Sequence, residues 1–350
     1  MKKLPEVALL NWYDKFGRTL PWRIKGGKKA DPYKVWLSEI MLQQTTVKAV
    51  IPYFEIFLKS WPTMESLAKA PLDEVLTKWA GLGYYARARN LKKCAEFVIE
   101  NFGGVFPTEE EKLLGLPGIG PYTSAAISSI AFGKRAVVVD GNVERVMSRL
   151  FRVKTPLPKA KLILKEKAAG LTPNERPGDY AQALMDLGAT ICTPKKPKCN
   201  LCPWGNCCQS FGRDDAEGFP KREKKTLKPT RVGRAFILTY GGELYLQKRA
   251  EKGLLGGMIE VPSTPWGEHK SDALKDTHAP HKGPWEKKEG VVKHTFTHFH
   301  LKLEVVVCNL KGLKPNLEHG FWAQLDDLEN HALPTVMKKV IQFSAVQKKP

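Results

Sequence analysis

The 350-residue chain has no apolar run long enough to cross a membrane. Its longest uncharged stretch, 113–133, is broken by four glycines and two prolines, whereas a spanning helix needs about 20 consecutive apolar residues. Lys2 and Lys3 imitate the charged start of a secretory signal, but Glu6 interrupts the apolar stretch and no small-residue cleavage site follows before Trp12 and Asp14, so the protein is expected to stay in the cytosol. Internal repeats and low-complexity tracts are absent, which excludes solenoid and fibrous architectures. Acidic residues are scarce: 36 Asp and Glu face 56 Lys and Arg, leaving a formal charge of +20. Such an excess points to a polyanionic partner. Cysteine is sparse too, at seven residues, and the odd number argues against a closed set of disulfides.

The 42% hydrophobic content rules out disorder throughout, and the length suits two domains. From Pro5 to about Gln209 the apolar spacing is helical, interrupted by short Gly/Pro turns, and an all-α domain over 1–209 is expected. Val143, Val146, Met147 and Leu150 define an amphipathic helix that opens at Asp140-Gly141-Asn142. Residues 210–233, polar and then basic through Lys221-Arg222-Glu223-Lys224-Lys225, read as an exposed linker. Over 234–350 the pattern becomes α+β: strands flank a Gly241-Gly242 turn, Val291–Cys308 reads as one long alternating stretch, and a helix follows Pro334.

Five of the cysteines crowd into 192–208. Cys192, Cys199, Cys202 and Cys208 can close around one metal centre, and four soft sulfurs suit zinc or an iron-sulfur cluster. The spacing leaves Cys207 as a substitute for Cys208. Leu116–Ile127 places Gly118 and Gly120 in a tight turn between helical stretches, where free backbone N–H groups can hold a phosphate or simply turn the chain. Glu39 stands alone among apolar residues on an expected helix. Desolvation would raise its pKa and let it donate a proton near neutral pH; a solvated helix face is the plainer alternative. Asp140 suits a helix N-cap equally well.

Six strings occur in one order: Leu20-Pro21-Trp22-Arg23, Ser38–Thr45, Gly81–Asn90, the hairpin at 116–127, Val139–Val143 and the four-cysteine loop. Together they resemble the MutY family of adenine-DNA glycosylases, within the endonuclease III superfamily, over nearly the whole chain. The resemblance implies a helix-hairpin-helix catalytic domain with a [4Fe-4S] cluster on Cys192, Cys199, Cys202 and Cys208. It implies that Glu39 protonates N7 of a flipped adenine and that Asp140 stabilises the oxocarbenium-like sugar, directly or through a transient adduct. Tyr122 and Asn142 would orient these groups and Arg23 would contact the adenine. Gln44 and Tyr84 would enter the vacated duplex, and Thr45, Leu82, Gly118, Gly120 and His298 would complete the DNA contacts.

The C-terminal domain resembles a Nudix fold through Gly253–Pro262, yet only Glu268, Asp272 and Asp276 stand where Nudix hydrolases carry a glutamate-rich helix. Hydrolysis by this domain is therefore not expected. His294–His300 resembles the family's loop that reads 8-oxoguanine, with Thr297 where many members have serine; its three histidines on one strand face offer a metal site as an alternative. The implied partner is double-stranded DNA carrying adenine opposite 8-oxoguanine or guanine, bound by a monomer that associates with the nucleoid through its DNA. Tyr122 stands where lyase relatives carry a lysine, which implies a glycosylase without strand cleavage. Two rival readings are an endonuclease III-like glycosylase/lyase for damaged pyrimidines and a non-catalytic mispair-binding protein.

Overall fold

A computed structural model describes residues 5–223, 227–268 and 273–344. Lys224 and Lys225 of the basic run, and Asp272, lie outside the described residues. Two compact units emerge, one of residues 1–69 with 90–225, the other of residues 70–89 with 226–350. Among the described residues no helix is long and apolar enough to cross a membrane.

The first unit is helical, as its periodicity indicates. It contains α1 (Pro5–Phe16), α2 (Pro32–Leu42), α3 (Val47–Ser60), α4 (Met64–Lys69), most of α6 (Ala86–Phe102), α7 (Glu110–Leu114), α8 (Pro121–Ile130), α9 (Gly141–Leu150), α10 (Lys161–Leu171) and α11 (Pro177–Asp186). Capping residues set several starts. Asp31 accepts from the Tyr33 N–H ahead of α2, Thr46 from Ala49 ahead of α3, and Asp140 from Val143 ahead of α9. Proline occupies the first turn of α2, α8 and α11, where its missing N–H costs no hydrogen bond.

The core gathers Leu9 and Tyr13 of α1, Val143, Met147 and Leu150 of α9, Leu164 of α10 and Tyr180 and Leu184 of α11. Every residue of α11 is buried, its two aspartates included. Where α11 meets the end of α8 the residues are small. A Cβ on Gly178 would stand 2.6 Å from the Ser129 carbonyl oxygen. The stretch after the cysteines, expected to be an exposed linker, is exposed at most of its described positions and packs at a few of them. Ala216 and Phe219 are buried, and Leu157 pairs its N–H and carbonyl with Lys221 and Glu223 at 2.8 and 3.2 Å. Phe219 accounts for this, since its ring needs cover and lies under the cations of Arg152 and Lys221.

The second unit is built on a seven-stranded mixed sheet of order β3-β2-β1-β6-β4, with β7 also on β2 and β5 also on β6. Its strands are β1 (Thr230–Tyr240), β2 (Glu243–Lys248), β3 (Ile259–Glu260), β4 (Glu286–Lys287), β5 (Val292–Thr295), β6 (His300–Asn309) and β7 (Phe321–Gln324). β1 and β6 run parallel over ten residue pairs, Thr230 opposite His300 to Thr239 opposite Asn309. Gly241-Gly242 joins β1 to antiparallel β2, as the turn signal indicates. The final helix α12 (Thr335–Phe343) lays Val336, Met337, Val340 and Ile341 into the sheet's core.

The alternating stretch 291–308 is two strands, β5 and β6, rather than one. Phe296 donates its N–H to the Phe299 carbonyl at 2.9 Å, and the two rings stack 4.8 Å apart. Burial of this aromatic pair folds the turn, which alternation alone cannot signal. His294 and His300 therefore sit on different strands, so the three histidines do not share one strand face. This unit also holds α5 (Leu72–Trp79) and the loop that leads into α6. Lys248 pairs with Asp73 at 2.7 Å, and Arg89 donates to the Gly256 carbonyl at 2.5 Å.

Gly178→Ala is expected to destabilise the helical unit by about 1–3 kcal/mol, because its new methyl meets backbone rather than a movable side chain. Thermal denaturation checks this; an unchanged Tm would mean that α8 and α11 part without cost.

Candidate active site

A cavity of about 990 Å³ opens within the helical unit. It is lined by Glu39, Gln44 and Thr45 from α2 and its C-terminal turn, by Gly120 and Tyr122 from the start of α8, by Asp140 and Asn142 from the start of α9, and by Arg23. Eight of the residues singled out in the sequence thus share one wall. Leu82, Tyr84, Thr297 and His298 belong to the second unit. Gly118 lies in the turn between α7 and α8 at φ +76°, a left-handed conformation that favours glycine, and a Cβ there would meet Asn90 at 2.7 Å.

The Glu39 side chain is buried, and burial pushes its pKa up to about 7, outweighing the hydrogen bond from Tyr122 and the charge of Arg23, which pull it down. Tyr122 donates its hydroxyl to Glu39 Oε2 at 2.8 Å. The phenol itself is held well above its ordinary pKa, by burial first and by the neighbouring carboxyl groups next. Asp140 is both an N-cap and a wall residue: Oδ1 accepts from the Val143 N–H at 2.8 Å and Oδ2 from Asn142 Nδ2 at 2.7 Å. One carboxyl is thus dry and accepts a single bond, while the other accepts on both oxygens.

Other side chains escaped the sequence reading. Arg23 does not reach into the cavity unaccompanied. Its Nη1 lies 2.8 and 2.9 Å from the two oxygens of Asp186, which also accept from Arg18. Arg18 and Gln182 line the cavity as well. The available signal was an aspartate inside an otherwise buried helix. Arg145 was also missed: it donates to Asn142 Oδ1 at 2.9 Å, to the Gly188 carbonyl at 2.6 Å and to the Cys192 carbonyl at 2.8 Å. A Cβ on Gly188 would lie 2.6 Å from that of Asn142, so only glycine lets these backbones approach so closely. The turn holding Asp140 is thereby tied to the segment that enters the cysteine loop.

Cys192, Cys199, Cys202 and Cys208 line one small cavity together with buried Arg149 and Ser210. Cys207 lies outside it, exposed, with its thiol directed to the Trp204 carbonyl. Arg149 donates to Cys192 Sγ at 3.4 Å. Burial pushes the Cys202 thiol up to about 12 and raises that of Cys208. A metal cation supplies what is needed to ionise such thiols. The donor set and its surroundings therefore fit a metal centre.

In the second unit Tyr84 is 45% exposed at φ +50°, and Leu82 is buried. Arg87 fixes their loop: it lies over the Trp79 and Tyr84 rings, 5.2 and 5.5 Å from their centroids, and donates to the Leu82 and Gly83 carbonyls at 3.2 Å. Thr297 and His298 are exposed at the tip of the β5–β6 turn, and Thr297 donates its hydroxyl to that of Tyr84 at 3.0 Å. Among the described carboxylates of the second unit, Asp276 pairs with Arg234 and Glu260 with Arg249. Nowhere among the described residues do three His, Cys, Asp or Glu side chains already stand together as a metal-holding group, and this includes the four cysteines, which share a cavity without closing into a ligand set.

Comparison with known proteins bears on this geometry. Residues 37–170 match the model of the HhH-GPD superfamily of base excision DNA repair proteins, and residues 234–343 match a NUDIX domain. An adenine DNA glycosylase of Buchnera aphidicola (subsp. Baizongia pistaciae) is 34% identical over 345 residues, 95% of each chain. The chain belongs to the adenine DNA glycosylase family. The human adenine DNA glycosylase is 35% identical over 96% of this chain and 73% of its own. Among solved structures, a thermostable thymine-DNA glycosylase is 33% identical with a TM-score of 0.53, covering 59% of this chain and 94% of its own. An endonuclease III–DNA complex, 22% identical at a TM-score of 0.50 over 59% of this chain and 92% of its own, has the same fold. The helix-hairpin-helix and Nudix architectures expected for this glycosylase are thus both present.

Cys208→Ser is expected to lose bound metal and Cys207→Ser to retain it, since only the former sulfur faces the cavity. Metal content of the purified variants decides; loss in Cys207→Ser alone would exchange the two.

Proposed function

We propose that this glycosylase excises adenine mispaired with 8-oxoguanine or guanine in DNA, without cutting the backbone. The pairing of two unlike carboxyl groups in one cavity carries the reading. Glu39, buried and with its pKa raised to about 7, still carries its proton in a substantial fraction of molecules near neutral pH. Tyr122 occupies Oε2, leaving Oε1 to carry that proton to N7 of the extruded base. The C1′–N9 bond then breaks with its electron pair passing to adenine. Asp140, with both oxygens held by donors from its own turn, faces the positive charge developing on the sugar. Water adds at C1′ and gives up a proton, leaving an abasic site. A phenol at position 122 cannot form the Schiff base that strand cleavage requires.

Within the same reading, Arg23 contacts the adenine, and Gln44 and Thr45 on the cavity's rim engage the duplex together with Gly118 and Gly120 of the hairpin. Tyr84, with Leu82 beneath it, fills the gap that the base leaves. The four cysteines would hold a [4Fe-4S] cluster, which when bound cross-links their loop and presents Lys195, Lys196 and Lys198 to phosphate. The second unit, through Thr297 and His298, reads the base opposite adenine, and its broken Nudix site performs no hydrolysis. Support for Thr297 comes from its exposure on a turn stiffened by two stacked phenylalanines.

Glu39→Gln and Asp140→Asn should each slow single-turnover adenine release by about 10²- to 10⁴-fold while duplex binding persists. Wild-type rates in either variant would refute the proposal. Thr297→Val should leave excision opposite guanine intact and reduce the preference for 8-oxoguanine by about ten- to a hundredfold, the worth of one lost hydrogen-bonding pair. The ratio of rates on the two duplexes at matched salt measures this; an unchanged ratio places lesion reading elsewhere.

A further inference from the structure

Asp186 does not line the cavity, yet two of the residues that do depend on it. Its side chain is wholly buried. Oδ1 lies 2.6 Å from Arg18 Nη2 and 2.8 Å from Arg23 Nη1, and Oδ2 accepts the Arg18 backbone N–H at 2.7 Å. Arg23 is likewise withdrawn from solvent, with a side-chain exposure of 6%, and Arg18 is at 28%. Buried charges of this kind persist only when paired.

The groups that face Glu39 can be taken element by element. The loop after α1 brings Arg18 and Arg23, α8 brings Tyr122, the start of α9 brings Asp140, and the start of α3 brings the exposed Lys48. From α1, Tyr13 adds a buried phenol beside the arginines, raised to about 12 by burial and so neutral throughout. Lys48 is solvated and its field is screened. What remains at the wall is Arg23 and the partly exposed Arg18 against Asp140, with Asp186 directly behind the two arginines and Arg145 behind Asp140 through Asn142. Without Asp186 the wall would be one charge more positive, and Arg23, which already favours an ionised Glu39, would do so with no anion in contact with it.

We infer that Asp186 is a positioning residue of the active site: it pins Arg18 and Arg23 to the cavity wall and cancels their field at Glu39, so that Glu39 stays a proton donor. This rests on the role proposed for Glu39. It assigns to α11 a part in proton delivery, exerted through two arginines rather than by contact with the base.

The test is the pH profile of single-turnover adenine excision in the full-length protein. Wild type should lose activity as pH rises through about 7, where Glu39 gives up its proton. Asp186→Asn should move that alkaline limb down by on the order of one pH unit, so that the deficit against wild type is roughly tenfold at about pH 8 and vanishes well below the limb. Arg18→Gln, at a partly exposed position that tolerates change, removes a positive charge and should move the limb up. It carries the test by itself should Asp186→Asn fail to fold. The double variant Arg18→Gln/Asp186→Asn should return the limb towards wild type. A uniform rate loss at every pH with the limb unmoved in both single variants would reduce Asp186 to a structural tie and overturn the inference. Absence of an alkaline limb in wild type, or full activity in Glu39→Gln, would overturn the role of Glu39 itself.

Discussion

A carboxyl group moved from water into a protein interior resists ionisation, and the helical unit is arranged around that resistance at Glu39. α2 surrounds the side chain with Val35, Trp36, Ile40 and Met41, all buried, so the neutral acid is favoured before any partner is considered. Tyr122 then adds a single donor, too little to reverse the effect of burial. Arg23 at the cavity wall pulls in the same direction as Tyr122, and its own charge is met by Asp186. Dryness keeps a proton available near neutral pH, against the opposing pull of one hydrogen bond and of Arg23.

α11 and the π-helical turn that continues it, Leu187–Ile191, are the mechanical link. Over seven residues this segment supplies Asp186 to the arginines, Gly188 to the backbone of Asn142 and Cys192 to the cysteine loop. Full burial of the helix removes its freedom to shift. Arg145 bonds to the last two of these places and to Asn142, so the turn at Asp140 and the entry to the cysteine loop are tied to one another. Whatever orders the cysteine loop therefore bears on the turn at Asp140, through hydrogen bonds rather than any long-range field.

In the second unit the Nudix frame is retained, while two of its described carboxylates are engaged in ion pairs. Arg249 and Arg234 sit where carboxylates would otherwise be left to attract a cation, and they convert Glu260 and Asp276 into ordinary ion-pair partners. The sheet instead serves as a mount for the turn at 296–299. Stacked phenylalanines hold that turn from below, and Thr297 meets Tyr84 at its tip. Arg87 stiffens the Tyr84 loop in the same manner, with carbonyls and aromatic faces sharing one guanidinium. Both exposed tips are braced by buried or partly buried side chains, an arrangement that lowers the ordering cost of binding.

Much of this was legible in the residues alone. Helical periodicity, the glycine turn between helices and the cysteine spacing are local signals, and local signals survive without a fold; so are the lone carboxyl of Glu39 in an apolar helix and the N-cap at Asp140. Motif order was enough to indicate the family. What the sequence left open depended on neighbours distant in the chain. Cys207 and Cys208 are equivalent by spacing, and only the direction of their side chains separates them. The strand break at 296–299 needed the stacking of two rings, and the packing of 214–223 needed the groove that Phe219 fills. Asp186 stands 163 residues from Arg23 and Arg145 lies 47 from Cys192. No periodicity or spacing reports such pairs, because a buried charge acquires its meaning from the partner that the tertiary fold brings within hydrogen-bond reach.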